Sequence, residues 1–162
     1  MPLAGVVLPA WDYGAELARS AADTIEVVER ARAEPLLAFA RGALRALRRI
    51  GGGIVDVQRH LGALPLALIH GDLHSGNVVV RSGRRGAGGP GVAFIDWQRA
   101  RIGSPLEDVS SFLQSLAYWE PQVRSKHDTL LGQYLAARGM DPSPSRSVRD
   151  AYWLAGATNA LA

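Results

Sequence analysis

The sequence contains no cysteine, a single lysine and no long apolar run. Without cysteine, disulfide scaffolds, thiol nucleophiles and thiolate zinc sites are excluded, and a reducing compartment is compatible with the chain. Its unbroken apolar runs, such as Leu66–Ile69 and Val78–Val80, are far shorter than the ~20 residues of a membrane-spanning helix. The N-terminus has no basic stretch typical of a signal peptide. We therefore expect a cytoplasmic protein without a membrane partner.

The 162 residues are 48% hydrophobic and carry a net charge of +3, which is typical of one globular domain with a core. The basic side chains are all arginine except Lys126, and they are scattered among 15 acidic residues. A nucleic-acid-binding surface requires a basic patch or stripe, so this scatter argues against a nucleic-acid partner.

Apolar residues recur every three or four positions through the first sixty residues, which predicts helices there. One such stripe consists of Leu36, Ala40, Leu44 and Leu47. Residues 54–61 are predicted to form a shorter third helix.

The C-terminal part also has a helical pattern. Ser104-Pro105-Leu106-Glu107 combines an N-cap serine, a proline at the first helical position and a glutamate at N3, which predicts a helix start with a capping box. Further helices are predicted over Gln122–Ala137 and Ser147–Asn159.

Between these helical regions the pattern indicates strands. The run Leu66–Ile69 is predicted to be a buried strand. Two β-branched or apolar stretches follow, separated by the glycine-rich residues 82–91, which predict a turn or flexible loop. We therefore predict a β-hairpin in which residues 78–81 pair with 92–95.

This hairpin has a consequence for the polar residues beside it. Asn77 precedes its first strand and Asp96 follows its second, so pairing brings both to the same end. His70 and Asp72, in the loop that enters the first strand, are expected to arrive at this end too. Carboxylate and amide oxygens suit a hard cation such as Mg²⁺, which commonly takes one or two carboxylates plus substrate phosphates. The sequence thus predicts a metal-assisted phosphate site.

The spacing of these residues is more specific still. Kinases use a loop of the form H-x-D-x-x-x-x-N, followed after a hairpin by a second metal-binding aspartate. Residues 70–77, HGDLHSGN, have this form, and Asp96 is the later aspartate.

Three segments, HGDLHSGN, FIDW and GSPLEDV, resemble the aminoglycoside phosphotransferase and choline kinase family, whose members share the protein-kinase-like fold. The resemblance is dense over residues 66–116. It implies an α+β, mostly α fold: the helical C-terminal lobe of a kinase, with a short β-hairpin that carries the metal site.

The resemblance also implies a role for each matching residue. Asp72 matches the catalytic aspartate, whereas Asn77 and Asp96 match the residues that hold Mg²⁺ and, through it, ATP or GTP. His70 matches a residue that braces the catalytic loop. Asp108 resembles the family's aspartate that supports the same loop.

Trp97 stands where protein kinases have phenylalanine, as is frequent in the small-molecule branch of the family. The resemblance therefore implies transfer of the γ-phosphoryl group of a nucleoside triphosphate to a hydroxyl of an aminoglycoside-, choline- or sugar-like acceptor. The alternative is a catalytically inactive, pseudokinase-like binding or regulatory module.

The resemblance covers one lobe. We expect a single partial domain with a catalytic loop at 70–77, a hairpin at 78–95 and a helical subdomain at 104–162. The N-terminal nucleotide-binding lobe is expected to be absent, because residues 1–65 have a helical pattern and Lys126 lies downstream of the catalytic loop. The chain would then be a fragment of the full enzyme, a shortened and non-catalytic relative, or a lobe that is completed by another chain or by self-association.

Two further motifs have competing interpretations. The H-x-D-x-H pattern of residues 70–74 would suit a zinc hydrolase if the segment were extended, but Gly71 and Gly76 disfavour a strand and no further His or Cys cluster completes the site. The G-x-G-x-x-G pattern of residues 86–91 precedes a strand and contains proline, so it does not predict a dinucleotide site.

Four aromatic residues outside the catalytic motifs have structural interpretations. His60 and His127 are predicted to be solvated residues of helices. Trp119 and Trp153 are predicted to be packing residues; the alternative is a substrate platform, because both lie in the C-terminal half, where the family that the sequence resembles often builds its acceptor site.

Overall fold

The described part of the chain is mostly helical, with four short strands. The computed structural model describes residues 13–31, 45, 48–49, 52–81 and 91–159. In chain order its elements are α1 (Tyr13–Ala31), α2 (Ile54–Leu61), β1 (Ala67–Ile69), β2 (Val78–Arg81), β3 (Gly91–Phe94), β4 (Arg101–Gly103), α3 (Pro105–Trp119), α4 (His127–Ala137) and α5 (Arg146–Asn159). Two 3-10 turns, Ser75–Asn77 and Pro121–Lys126, precede β2 and α4. This arrangement agrees with the predicted α+β class.

Helices α3, α4 and α5 share one hydrophobic core. Its buried side chains are Leu64, Leu106, Leu113, Leu131, Leu135, Val148, Ala151 and Tyr152. Helices α3 and α5 approach closely at Gly156, where a Cβ atom would lie 1.6 Å from Gln114 Nε2 and 2.6 Å from Ser110 Oγ. A side chain at this position would displace both neighbours, so the glycine allows α5 to fix the position of α3.

The predicted β-hairpin is present, with its register shifted by one residue from the predicted pairing of 78–81 with 92–95. Strands β2 and β3 are antiparallel, with Val78 opposite Phe94 and Val80 opposite Val92. The second strand begins and ends one residue earlier than predicted, but the ladder continues because Ile95 N donates to Asn77 O at 3.1 Å. Asn77 and Asp96 therefore leave the hairpin at the same end.

The prediction of a buried strand at Leu66–Ile69 is correct in position and wrong in burial. Strand β1 pairs antiparallel with β4, with Ile69 opposite Arg101. Ile69 is 2% exposed, whereas Leu66 is 64% and Leu68 is 45% exposed. Side chains alternate across a strand, so in this two-stranded sheet Ile69 reaches the core and Leu68 points to the opposite face. Strand β4 is not among the predicted elements.

The predicted start of α3 is observed, whereas the predicted start of the next helix is not. Helix α3 begins at Pro105, and the Ser104 N–H donates to Glu107 Oε1 at 2.9 Å, as a capping box requires. The helix predicted over residues 122–137 is divided instead, because its first part is the 3-10 turn Pro121–Lys126.

Two of the structural interpretations of aromatic residues are wrong. His127 is 7% exposed rather than solvated, because α5 covers it and Tyr152 hydrogen-bonds its Nδ1 atom. Trp119 is 70% exposed and so is not a packing residue; Trp153 is 49% exposed, with its ring 5.1 Å from that of His127. His60 is exposed, as predicted.

The helix predicted around residues 36–47 and the glycine-rich residues 82–90 lie outside the described residues. Among the residues that the structure describes, no helix is both long enough and apolar enough to cross a membrane.

Candidate active site

The loop of residues 70–77 leaves β1 at a turn that requires glycine. Gly71 has φ +80°, and a Cβ atom there would lie 2.2 Å from the carbonyl oxygen of Arg99. Neither the dihedral angle nor the space admits another residue without strain. The preceding residue, His70, is 2% exposed. The turn therefore defines the point at which Asp72 emerges from the core.

Asp108, in the first turn of α3, holds the start of this loop. Its Oδ2 atom accepts a hydrogen bond from His70 N at 2.6 Å, and its Oδ1 atom accepts one from Gly71 N at 2.9 Å. A carboxylate that accepts two backbone N–H groups makes strong, charge-assisted hydrogen bonds. It also lies near a helix N-terminus, where negative charge is favourable. The loop and α3 are thus joined by one side chain.

His70 connects the loop to the segment that follows β3. Its Nε2 atom lies 2.7 Å from the carbonyl oxygen of Ile95, so Nε2 carries the proton and donates. The imidazole ring also lies 4.8 Å from the ring of Trp97, measured between centroids. His70 therefore holds the loop and the residues on either side of Asp96 at a fixed separation.

Asn77, at the end of the loop, is 7% exposed. Its Nδ2 atom donates to the backbone oxygen of Asp72 at 3.0 Å. This hydrogen bond assigns the orientation of the amide and leaves Oδ1 as the oxygen that can accept or coordinate. Asn77 therefore links Asp72, through its side chain, to Ile95, through its backbone.

Asp96 has φ +63° and is the only non-glycine residue with positive φ among those described. Such a conformation costs about 1–3 kcal/mol and persists where the surrounding structure imposes it, often at functional sites. Both backbone polar atoms of the neighbouring Ile95 are hydrogen-bonded, to Asn77 and His70. The strained residue is thus held beside the loop, and Asp72, Asn77 and Asp96 share one end of the hairpin.

Among the described residues, no group of three or more His, Cys, Asp or Glu side chains could hold a metal ion, whether magnesium or zinc. Residues 70–74 are not a strand, so the alternate-position zinc arrangement of H-x-D-x-H does not form. Asn77 and Asp96 offer one amide oxygen and a carboxylate, and Mg²⁺ commonly binds one or two carboxylates together with substrate phosphates.

A buried ion pair that the sequence analysis did not single out supports the same loop. Arg101 Nη2 lies 2.5 Å from Glu107 Oε2, and the two side chains are 6% and 5% exposed. Arg101 Nη1 also donates to the carbonyl oxygens of Gly71 and Arg99, at 3.5 and 3.3 Å. Burial raises the pKa of Glu107, while Arg101 and the Ser104 N–H partly lower it. In the sequence, the capping box, which places Glu107 at N3 of α3, could have indicated one of these two partners.

A second hydrogen-bonded contact joins the far end of the loop to α3. Ser75 N donates to Ser115 Oγ at 3.0 Å, and Ser115 Oγ lies 3.4 Å from Ser75 Oγ. Ser115 follows Asp108 by seven residues, two turns of the same helix. Helix α3 therefore holds the loop before and after Asp72.

The order and spacing of these residues along the chain are those of a kinase-type loop, in which H-x-D-x-x-x-x-N is followed after a hairpin by a second aspartate. The sequence matches the family profile named APH, the phosphotransferase enzyme family, over residues 8–152. The chain therefore belongs to the phosphotransferase enzyme family, and the family resemblance found in the sequence is confirmed. Comparisons with curated proteins and with solved structures gave no significant match.

Proposed function

We propose that this chain carries the acceptor-side and magnesium-side residues of a phosphotransferase. The enzyme would transfer the γ-phosphoryl group of ATP or GTP to a hydroxyl of a small molecule. One observation carries the proposal: in a chain of this family, hydrogen bonds through Asn77 and Ile95 hold Asp72 and Asp96 at the same end of one hairpin.

In this proposal Asp72 acts on the acceptor. Its carboxylate accepts a hydrogen bond from the acceptor hydroxyl, orients it toward the γ-phosphorus and takes its proton as the new P–O bond forms. Phosphoryl transfer has a loose transition state, so positioning of the reactants supplies most of the catalysis. The ties from Asp108 and Asn77 to the loop support this role, because they restrict the backbone on both sides of Asp72.

Asn77 Oδ1 and the Asp96 carboxylate would hold Mg²⁺. The ion supplies neutralisation of the phosphate charge when it is bound. His70 and Asp108 are positioning residues in this proposal, because their hydrogen bonds go to the protein backbone.

The nucleotide also requires a glycine-rich flap and a lysine near its phosphates. The single lysine, Lys126, ends the 3-10 turn that precedes α4 and belongs to the helical part of the fold. We propose that these groups come from a nucleotide-binding lobe that is provided by a further segment or by another chain.

The test compares Asp72→Asn, Asp96→Asn and a control, Asp150→Asn, in which an exposed carboxylate of α5 is changed. Binding of Mn²⁺·ATP is measured by electron paramagnetic resonance of Mn²⁺, and ADP release is measured over a panel of hydroxylated acceptors. We expect Asp96→Asn to weaken binding at least ten-fold, and Asp72→Asn to leave binding within two-fold while abolishing any turnover. Asp150→Asn should change neither.

Each result has a separate meaning for the proposal. Loss of turnover and binding to the same extent in Asp72→Asn would contradict the role of Asp72. Binding that is unaffected by Asp96→Asn would contradict the metal site. Tight binding without turnover by the chain together with its nucleotide-binding lobe would favour the non-catalytic, pseudokinase-like module.

A further inference from the structure

An open cleft lies between the loop and the second half of α3. Its described lining consists of His74, Ser75 and Gly76 from the loop and Ser115, Tyr118 and Trp119 from the helix, and its volume is about 680 Å³. Sites for small molecules commonly enclose about 300–1,000 Å³. The cleft is therefore large enough for a monosaccharide or a somewhat larger molecule.

The cleft begins two residues after Asp72. Its lining includes the hydrogen-bonded pair Ser75 and Ser115, and Tyr118 and Trp119 lie about one turn further along α3. Asp108, which holds the loop before Asp72, lies about 10 Å back along the same helix, two turns from Ser115. A molecule in the cleft is thus adjacent to the loop that presents Asp72.

The aromatic wall is available to a ligand. Tyr118 and Trp119 are 72% and 70% exposed, so neither is used to pack the described core. Their rings meet edge to face, with centroids 5.0 Å apart and an interplanar angle of 85°. The two perpendicular rings form an aromatic platform at the surface.

The remaining lining groups are neutral and polar. His74 Nδ1 accepts a hydrogen bond from Gly76 N at 3.1 Å, so the neutral ring carries its proton on Nε2 as a donor. Ser75 and Ser115 add hydroxyl groups. Among the described lining residues there is no carboxylate, lysine or arginine.

We propose that this cleft binds the phosphoryl acceptor as a neutral, hydroxylated ring, such as a sugar or a cyclitol; this inference rests on the proposed function of the site. The apolar face of the ring stacks on the aromatic platform, and its hydroxyls bond the serines and His74. A polycationic aminoglycoside would find no carboxylate in this lining. A quaternary ammonium group has no hydrogen-bonding atom for the serines and His74.

The test measures ligand binding without nucleotide, by ligand-observed saturation-transfer NMR followed by titration. The neutral probes are methyl α-glucopyranoside and myo-inositol; glucosamine, kanamycin and choline are the cationic probes. Trp119→Ala is compared with Trp153→Ala, which removes another exposed tryptophan, on α5, outside the cleft. Trp119→Phe tests whether a smaller aromatic platform restores binding, and circular dichroism verifies folding.

We expect at least one neutral ring to bind, with affinity reduced ten-fold or more in Trp119→Ala, partly restored in Trp119→Phe and changed less than two-fold in Trp153→Ala. Tighter binding of kanamycin, glucosamine or choline would overturn the inference, as would no binding of a neutral ring. Equal effects of Trp119→Ala and Trp153→Ala would also overturn it, because the platform would then have no specific role.

A separate transfer assay distinguishes this inference from the proposed function. Phosphorylation of kanamycin or choline in preference to neutral rings would support the phosphotransferase and overturn the ligand class. Binding of a neutral ring at Trp119 would support the ligand class, even if Asp72→Asn and Asp96→Asn contradicted the phosphotransferase.

Discussion

The two regions beside the loop at 70–77 differ in the side chains that they bury: one buries charged residues, and the other exposes apolar ones. On the side of β4 and α3, the charged residues Arg101 and Glu107 are each 5% exposed. On the hairpin, the apolar residues Val80 and Val92 are 70% and 59% exposed. The loop is therefore held by buried polar contacts with defined directions, whereas the hairpin face that carries Val80 and Val92 contributes little burial to the described fold.

This difference indicates which region positions the candidate site. The hydrogen bonds that Asp108 accepts and Arg101 donates specify both distance and orientation, and apolar contact specifies neither. The hairpin contributes through its register, because pairing of β2 with β3 sets Asn77 beside Ile95. Substitutions in the polar region should therefore cost much more stability than substitutions on the hairpin.

The largest expected effect follows replacement of Arg101 by methionine. Arg101→Met leaves the Glu107 carboxylate buried without its ionic partner, and it removes the donors to Gly71 and Arg99. We expect the free energy of unfolding to fall by about 3–5 kcal/mol, measured by urea denaturation at pH 7. The control is Arg59→Met, because Arg59 pairs with Asp56 while both side chains are exposed.

A double variant separates the buried charge from lost packing. In Arg101→Met/Glu107→Leu neither charge remains, so a large part of the lost stability should return. If Arg101→Met costs no more than Arg59→Met, the buried pair does not stabilise this region, and the comparison drawn above fails.

A smaller effect is expected for Asp108→Asn, which keeps the shape of the side chain. An asparagine has one carbonyl oxygen for the two N–H groups of His70 and Gly71, so one donor loses its partner. We expect a loss of about 1–3 kcal/mol. Hydrogen exchange of the His70 and Gly71 amides should accelerate while exchange in α4 changes less, and Asp128→Asn, on the exposed surface of α4, is the control.

Local pattern and chain connectivity were enough to predict much of the site. The hairpin, the start of α3 and the common location of Asn77 and Asp96 follow from apolar alternation, a capping motif and the two ends of one turn. These features depend on residues close in sequence or on one pairing. The family resemblance could be recognised for the same reason, because its motifs lie within residues 66–116.

Tertiary packing decided what the sequence did not predict. Arg101 follows a turn and, in sequence, resembles any solvated arginine; its burial depends on Glu107 and on the carbonyl of Gly71. Strand β4 has three residues, too few for a recognisable alternation. His127 was predicted to be exposed because its burial depends on α5, which lies about twenty residues later in the chain.

A second buried polar contact, between Tyr152 and His127, should make the stability depend on pH. The Tyr152 hydroxyl, whose pKa is raised by burial, donates to His127 Nδ1. Burial lowers the pKa of His127 below its usual 6.5, partly opposed by Asp128. The His127 imidazole therefore binds a proton more readily in the unfolded chain than in the folded one. Stability falls as pH decreases below about 6.5.

Urea denaturation at pH 7.5 and 5.5 measures this effect. The His127 contribution to the pH dependence should disappear in His127→Gln and remain in His60→Gln, because His60 is exposed. An unchanged pH dependence in His127→Gln would show that other groups cause it.

The smallest effect is expected on the hairpin, for Val80→Thr and Val92→Thr. These residues lie opposite each other in the ladder and are mostly exposed, and threonine keeps the β-branched shape that strands favour. Each change should alter the free energy of unfolding by no more than about 0.5 kcal/mol. Ile69→Thr, at a site 2% exposed in β1, is the buried control and should cost clearly more. A loss from Val80→Thr as large as that from Ile69→Thr would mean that this face of the hairpin is covered in solution, and the polar contacts of α3 would then not be the main support of the loop.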